Sequence, residues 1–222
     1  MVKLVRVEVV KVVSVWMLEP DIPLMLMELG RKGFVVARVV SRPLSGYEIA
    51  PLEPPSPRGP GLLLAVRNAT RIYFNPGRRS LAVEGSNAGD VVAVVEQVEQ
   101  VLKNVGSDPA RGVLFYEVMA RGLARGNKLL LGKRVRLGSV LDSELEILPS
   151  TLVLSGADPN SKHWLIFEVK PHWTSWPEDN VYYEVNMVYR HTRDRVLQAA
   201  AHVETLFTEI LEELHKLMTS QV

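Results

Sequence analysis

The sequence predicts an α+β protein built on a curved antiparallel sheet, with two long amphipathic helices packed on one face. Three observations carry that reading. Short runs of alternating apolar and polar residues recur between turn signals. Two longer stretches, 88–105 and 192–218, carry apolar residues at three- and four-residue spacing. Each of these follows a strand–turn–strand pattern. The chain therefore reads as a tandem duplication of a β-rich unit, a first half at 1–106 and a second at 107–222, joined in one compact body.

The elements follow in order. Residues 2–18 are dense in Val and predict a long strand. Lys3, Arg6, Glu8 and Lys11 interrupt the segment too often for a membrane span or a signal peptide. Pro23 and Gly30 bracket a short helix, and residues 34–40 (FVVARVV) read as a second strand. The segment 41–61 holds six prolines and reads as a loop or flap. Residues 62–66, 71–75 and 80–84 are strands, with Pro76-Gly77 as a turn. Asn87 is placed to cap the helix that follows, where Val91, Val94, Val95, Val98, Val101, Leu102 and Val105 form one stripe. Beyond the break at 106–112, strands are expected at 113–119, 128–137, 145–154, 164–170 and 181–189. The last helix places Val196, Ala200, Val203, Phe207, Ile210, Leu211, Leu214 and Leu217 on one face.

Composition narrows the function classes. The 222 residues include 26 Lys+Arg, 25 Asp+Glu and no Cys. The absence of Cys excludes disulfide frameworks, thiol catalysis and Cys-ligated zinc. With no membrane segment or export signal recognisable, a cytoplasmic location is expected. His163, His172, His191, His202 and His215 show no HExxH or i,i+4 pairing, so no metal centre is expected from them. No phosphate loop and no Gly-x-Ser-x-Gly elbow occurs. The sequence points to no cofactor and no catalytic residue.

Residues 62–105, LLLAVRNATRIYFNPGRRSLAVEGSNAGDVVAVVEQVEQVLKNV, give an apolar strand, a strand ending in a small turn, a strand ending in Gly85, and a capped helix. This order resembles one repeat of the TATA-box-binding protein family, and the strand and short helix of residues 2–29 fit the same order. The resemblance extends more loosely to the second half. It implies a topology. The paired phenylalanines with which that family wedges DNA have no counterpart, since Phe74 stands alone near a turn, so DNA bending is not implied.

The most unusual local feature is a basic segment. Arg111, Arg121, Arg125, Lys128, Lys133, Arg134 and Arg136 are opposed only by Glu117, a net +6 in 26 residues of a chain whose total is +1. Residues 121–128 read as a flexible basic hairpin able to follow a phosphate backbone. Tyr73, Trp164, Trp173, Trp176 and Tyr182 are candidates to stack on bases beside it. The first reading is a non-enzymatic module binding nucleic acid through this segment. Alternatively, the same charges meet the acidic C-terminal helix of the same or another subunit. With the Trp173/Trp176 loop, that pattern motivates a second reading, a homo-oligomeric protein-interaction factor. A third reading rests on Asp158, Glu168 and Lys170. Glu168 and Lys170 share a strand face, and an upstream Asp with Glu-x-Lys resembles the pattern of Mg²⁺-dependent nucleases. The order Asp158-Pro159 inverts that pattern, and Leu165, Phe167 and Val169 already assign the opposite face to the core.

Overall fold

A computed structural model of the chain describes residues 2–42, 46–56, 59–127, 135–136, 146–147, 152–156, 163–172 and 180–219. The Val-rich start forms β1 (Lys3–Trp16). Helix α1 (Ile22–Arg31) is capped by Asp21, whose carboxylate accepts from the Leu24 amide at 3.0 Å. It buries Ile22, Met25, Leu26 and Leu29. Gly30 is part of this helix. The left-handed residue that ends the turn is Gly33, at φ 84°.

The expected strand at 34–40 is two pieces, β2 (Val35–Val36) and β3 (Arg38–Arg42). Between them the Ala37 amide donates to the Leu64 carbonyl at 2.7 Å. The 41–61 segment is not wholly a loop. Gly46–Ala50 is a strand, β4, paired antiparallel with β3 so that Val39 faces Ile49 and Ser41 faces Tyr47. Residues 46–50 contain no proline, which leaves every amide free for the ladder.

The next three strands, β5 (Leu62–Arg67), β6 (Thr70–Asn75) and β7 (Ser80–Gly85), form an antiparallel meander. Helix α2 (Ala88–Asn104) begins where Asn87 Oδ1 accepts from the Asp90 amide at 3.0 Å, the cap the sequence indicated. Gly85 is needed just before it. A Cβ there would lie 3.1 Å from Val91 Cγ2 and 3.3 Å from Thr70 Oγ1. The α2 stripe is rich in Val, a poor helix former, so the helix is held by what it covers. Val95, Val98 and Leu102 line one small cavity together with Val12, Leu81 and Val83 of the sheet. Burying each such side chain contributes roughly 1.5–3 kcal/mol.

After the short α3 (Pro109–Gly112) come β8 (Val113–Asn127), β9 (Val135–Arg136), β10 (Glu146–Ile147), β11 (Leu152–Gly156), β12 (Trp164–Pro171) and β13 (Asn180–His191). The long C-terminal helix is two helices, α4 (Arg193–Ala201) and α5 (Val203–Thr219), with His202 between them at φ −112° and ψ 25°. Nine of the described strands form one large antiparallel sheet in the order β11-β12-β13-β8-β1-β7-β6-β5-β2. The fold class is therefore α+β.

The chain divides into two compact units. The first comprises Met1–Glu8, Ala120–Val188 and Val203–Val222; the second comprises Val9–Met119 and Tyr189–His202. In the second unit, α2 covers the sheet, and Arg193 at the start of α4 binds Glu99 of α2 at 2.6 Å. In the first, Phe207 of α5 meets Phe167 of β12 edge-on, with ring centroids 5.5 Å apart. Phe167, Val169, Val181, Tyr183, Val185 and Met187 are buried there. No helix among the described residues is long and apolar enough to cross a membrane.

Candidate nucleic-acid interface

Residues 121–127 extend strand β8, where a flexible hairpin was expected. Their alternation explains why. Gly122, Ala124 and Gly126 are buried, while Arg121 and Arg125 are exposed. A Cβ at Gly122 would stand 3.0 Å from the Arg6 carbonyl oxygen and 3.0 Å from the Phe207 ring. Small residues on this face let α5 close on the strand, and the arginines are left on the opposite face.

That opposite face of the first unit gathers the charged groups. The Arg125 guanidinium lies over the Tyr182 ring, 5.3 Å from its centroid. Arg121 Nε is 3.4 Å from Glu8 Oε2, and Glu8 also binds Arg6 at 2.8 Å. Lys170 Nζ sits 3.1 Å from Glu184 Oε1 and 3.8 Å from Glu168 Oε2. Asn186 donates through Nδ2 to Glu168 at 3.1 Å and to Glu184 at 2.9 Å. The Asn186 hydrogen bond, and then Lys170, hold the Glu184 carboxyl below the usual carboxylate range against the opposing effect of burial. The hydrogen bond to Glu184 raises the Lys170 ammonium.

The remaining candidates are placed differently. Arg111 belongs to the second unit, at the end of α3. Its side chain is 90% exposed, with Asp108 Oδ2 at 3.8 Å. Tyr73 is buried in a cluster with Leu63 and Ala82, flanked by Val13, Leu52 and Val66, so packing uses its ring. Lys128, Lys133, Arg134, Trp173, Trp176 and Asp158 lie outside the described residues. For Arg136 only the backbone is described, pairing with Glu146 across β9 and β10. Glu168 and Lys170 do share a face, as the alternation required. Among the described residues no three His, Asp or Glu side chains are grouped to hold a metal ion.

The described arginines of the basic segment thus have partners inside the chain, and magnitudes decide whether these matter. Arg121 is 52% exposed, and an ion pair at such exposure contributes only about 0–1 kcal/mol. A phosphate can displace a partner held that weakly. The segment reading of the sequence overlooked Glu8, Glu184 and Asn186. The last two carried a signal, because they share the parity of Tyr182 within the alternating run 181–189. No protein-family model, curated protein or solved structure matches this chain.

Proposed function

We propose that the chain is a non-enzymatic binding module whose ligand is nucleic acid, engaged by the sheet face of the first unit that carries Arg121 and Arg125. One observation carries this reading: Arg121 and Arg125 stand on the same exposed face of β8, with Arg125 laid on the ring of Tyr182. A planar cation on an aromatic ring is an arrangement suited to phosphate and base contact. In the sequence the basic run continues directly into Lys128, Lys133, Arg134 and Arg136. Affinity for a nucleic-acid fragment should fall steeply with salt, and Arg121→Ala with Arg125→Ala should flatten that slope by about one unit per lost phosphate contact. No salt-sensitive binding at ~50 mM salt, where phosphate contacts dominate, overturns the proposal. Mg²⁺-dependent cleavage lost in Glu168→Ala would instead favour the nuclease reading.

The strand order supports a tandem duplication with the repeat topology of the TATA-box-binding protein. Outward from the central pair it reads β1-β7-β6-β5 on one side and β8-β13-β12-β11 on the other. In each half a first strand is followed by a meander read backwards, and each meander leads into helix. A second functional reading, the homo-oligomeric interaction factor, is favoured by the β3–β4 hairpin. All five β3 residues are exposed, and Val39, Val40 and Tyr47 are apolar or aromatic. Among the described residues the ribbon pairs with no third strand, and a two-stranded ribbon is marginal in water, so a second copy covering it would add stability. Light scattering showing a size that grows with concentration supports this reading, and a strict monomer at all concentrations rejects it.

A further inference from the structure

We infer that the nucleic acid bound by the first unit is single-stranded and lies with its bases on the sheet and its phosphates along β8; this rests on the nucleic-acid reading above. Charge is distributed unevenly across the strands of this face. Strands β12, β13 and β8 are neighbours in the order β12-β13-β8. Within the first unit, β12 and β13 present Glu168, Lys170 and Glu184 on this face, two carboxylates against one ammonium that both already hold. Strand β8 presents Arg121 and Arg125. The charge therefore changes sign between β13 and β8.

A duplex is poorly matched to such a surface. It carries a negative charge for about every 1.7 Å of its axis and keeps its bases stacked inside. Seated across this face, it would bring phosphates against the side-chain carboxyl groups of Glu168 and Glu184. A single strand separates its two chemistries. Its phosphates can follow the arginines of β8 while its bases turn inward over β13 and β12, where no polyanion is required.

The groups on β12 and β13 suit bases. Carboxylate oxygens accept from exocyclic amines, and an Asn amide both donates and accepts at base edges. Asn186 at present spends its donors on Glu168 and Glu184, so a base edge would enter an existing polar network. The Arg125–Tyr182 stack offers two flat groups between which, or against which, a base can lie. Single-strand recognition on an open antiparallel sheet commonly stacks about two or three bases in this way.

The test measures fluorescence anisotropy of a labelled single strand, as DNA and as RNA, and of the duplex of the same sequence, at low salt with the full chain. Single strands are expected to bind at least ten-fold more tightly than the duplex. Tyr182→Ala should weaken single-strand binding roughly ten- to hundred-fold, whereas Tyr182→Phe, which keeps the ring, should stay within about three-fold of wild type. The double variant Glu168→Gln/Glu184→Gln should gain duplex affinity while single-strand affinity moves little. This arm does not depend on any aromatic residue surviving replacement. Duplex binding equal to or tighter than single-strand binding overturns the inference and leaves the nucleic-acid reading standing. Salt-sensitive binding of neither form overturns the reading beneath it.

Discussion

Arg190→Met should destabilise the second unit far more than a surface ion pair would. Arg190 of β13 donates to Glu117 of β8 through Nε at 2.8 Å and Nη2 at 2.6 Å, both to the same oxygen. The Glu117 side chain is 9% exposed and that of Arg190 20%, and the guanidinium lies 4.0 Å from the centroid of the Phe115 ring. Removing the arginine leaves a carboxylate in a site where water reaches it poorly. Breaking a buried pair from one side costs about 3–5 kcal/mol. For a chain of this size each kcal/mol shifts the melting temperature by about 2–4 °C, so the midpoint should fall by roughly 6–20 °C. Replacing both partners removes the stranded charge. Glu117→Leu/Arg190→Met should therefore recover most of the loss, because apolar substitutes for a buried pair are often neutral or better. Calorimetry on the two single variants and the double closes the cycle. If the two single losses simply add, with a coupling below about 0.5 kcal/mol, the residues act independently and the pair is not a buried, coupled one.

Three further outcomes follow from the same geometry. Gly122→Ala should cost about 1–3 kcal/mol in denaturant unfolding, because its Cβ meets the Arg6 carbonyl and the Phe207 ring at 3.0 Å; Phe207→Leu should relieve part of that loss. Asn186→Ala should return the Glu184 carboxyl towards its ordinary value. A depressed folded value stabilises above the unfolded value of about 4.3 and loses that stabilisation as pH falls through the folded one. The gap in melting temperature between wild type and variant should therefore be full at pH 7 and narrow below about pH 4. Tyr116 donates to Glu99 at 2.8 Å, and burial first, then Glu99, pushes its phenol far up. Absorbance at alkaline pH should show it still protonated after ordinary tyrosines have ionised near pH 10, and Tyr116→Phe should cost about 1.5–3 kcal/mol.

Local physics made much of the fold legible. Alternation located the meander 62–85, and a Val stripe with an Asn cap located α2 to within a residue of its observed end. The failures share a cause, which is that the deciding partner is distant in sequence. Residues 193–219 contain neither Gly nor Pro, and their apolar spacing is continuous, so nothing local marks the break at His202. The break separates Arg193, tied to Glu99 of α2, from Phe207, seated on Phe167. Residues 121–127 read as a loose hairpin because glycines at alternate positions look like turn residues. In the structure Gly122 lies on the side of a strand that admits a helix.

The interleaving of the two units was illegible for the same reason. Strands β1, β8 and β13 are each long enough to contribute one end to each unit, whereas composition can propose a boundary only between consecutive segments. This bears on how the basic run should be read. Counted along the chain, seven basic residues stand almost unopposed between 111 and 136. Counted by face, Arg111 falls in one unit and Arg121 and Arg125 in the other, and the carboxylate nearest Arg121 comes from Glu8, more than a hundred residues upstream. Among the described residues of the first unit, the run shows two arginines on one strand face, one weakly paired and one on an aromatic ring, beside a region of opposite sign. On the proposed reading, such a surface would distinguish a ligand whose charge lies on one side from one charged all round, and that contrast, more than total charge, is what binding measurements on this chain should probe.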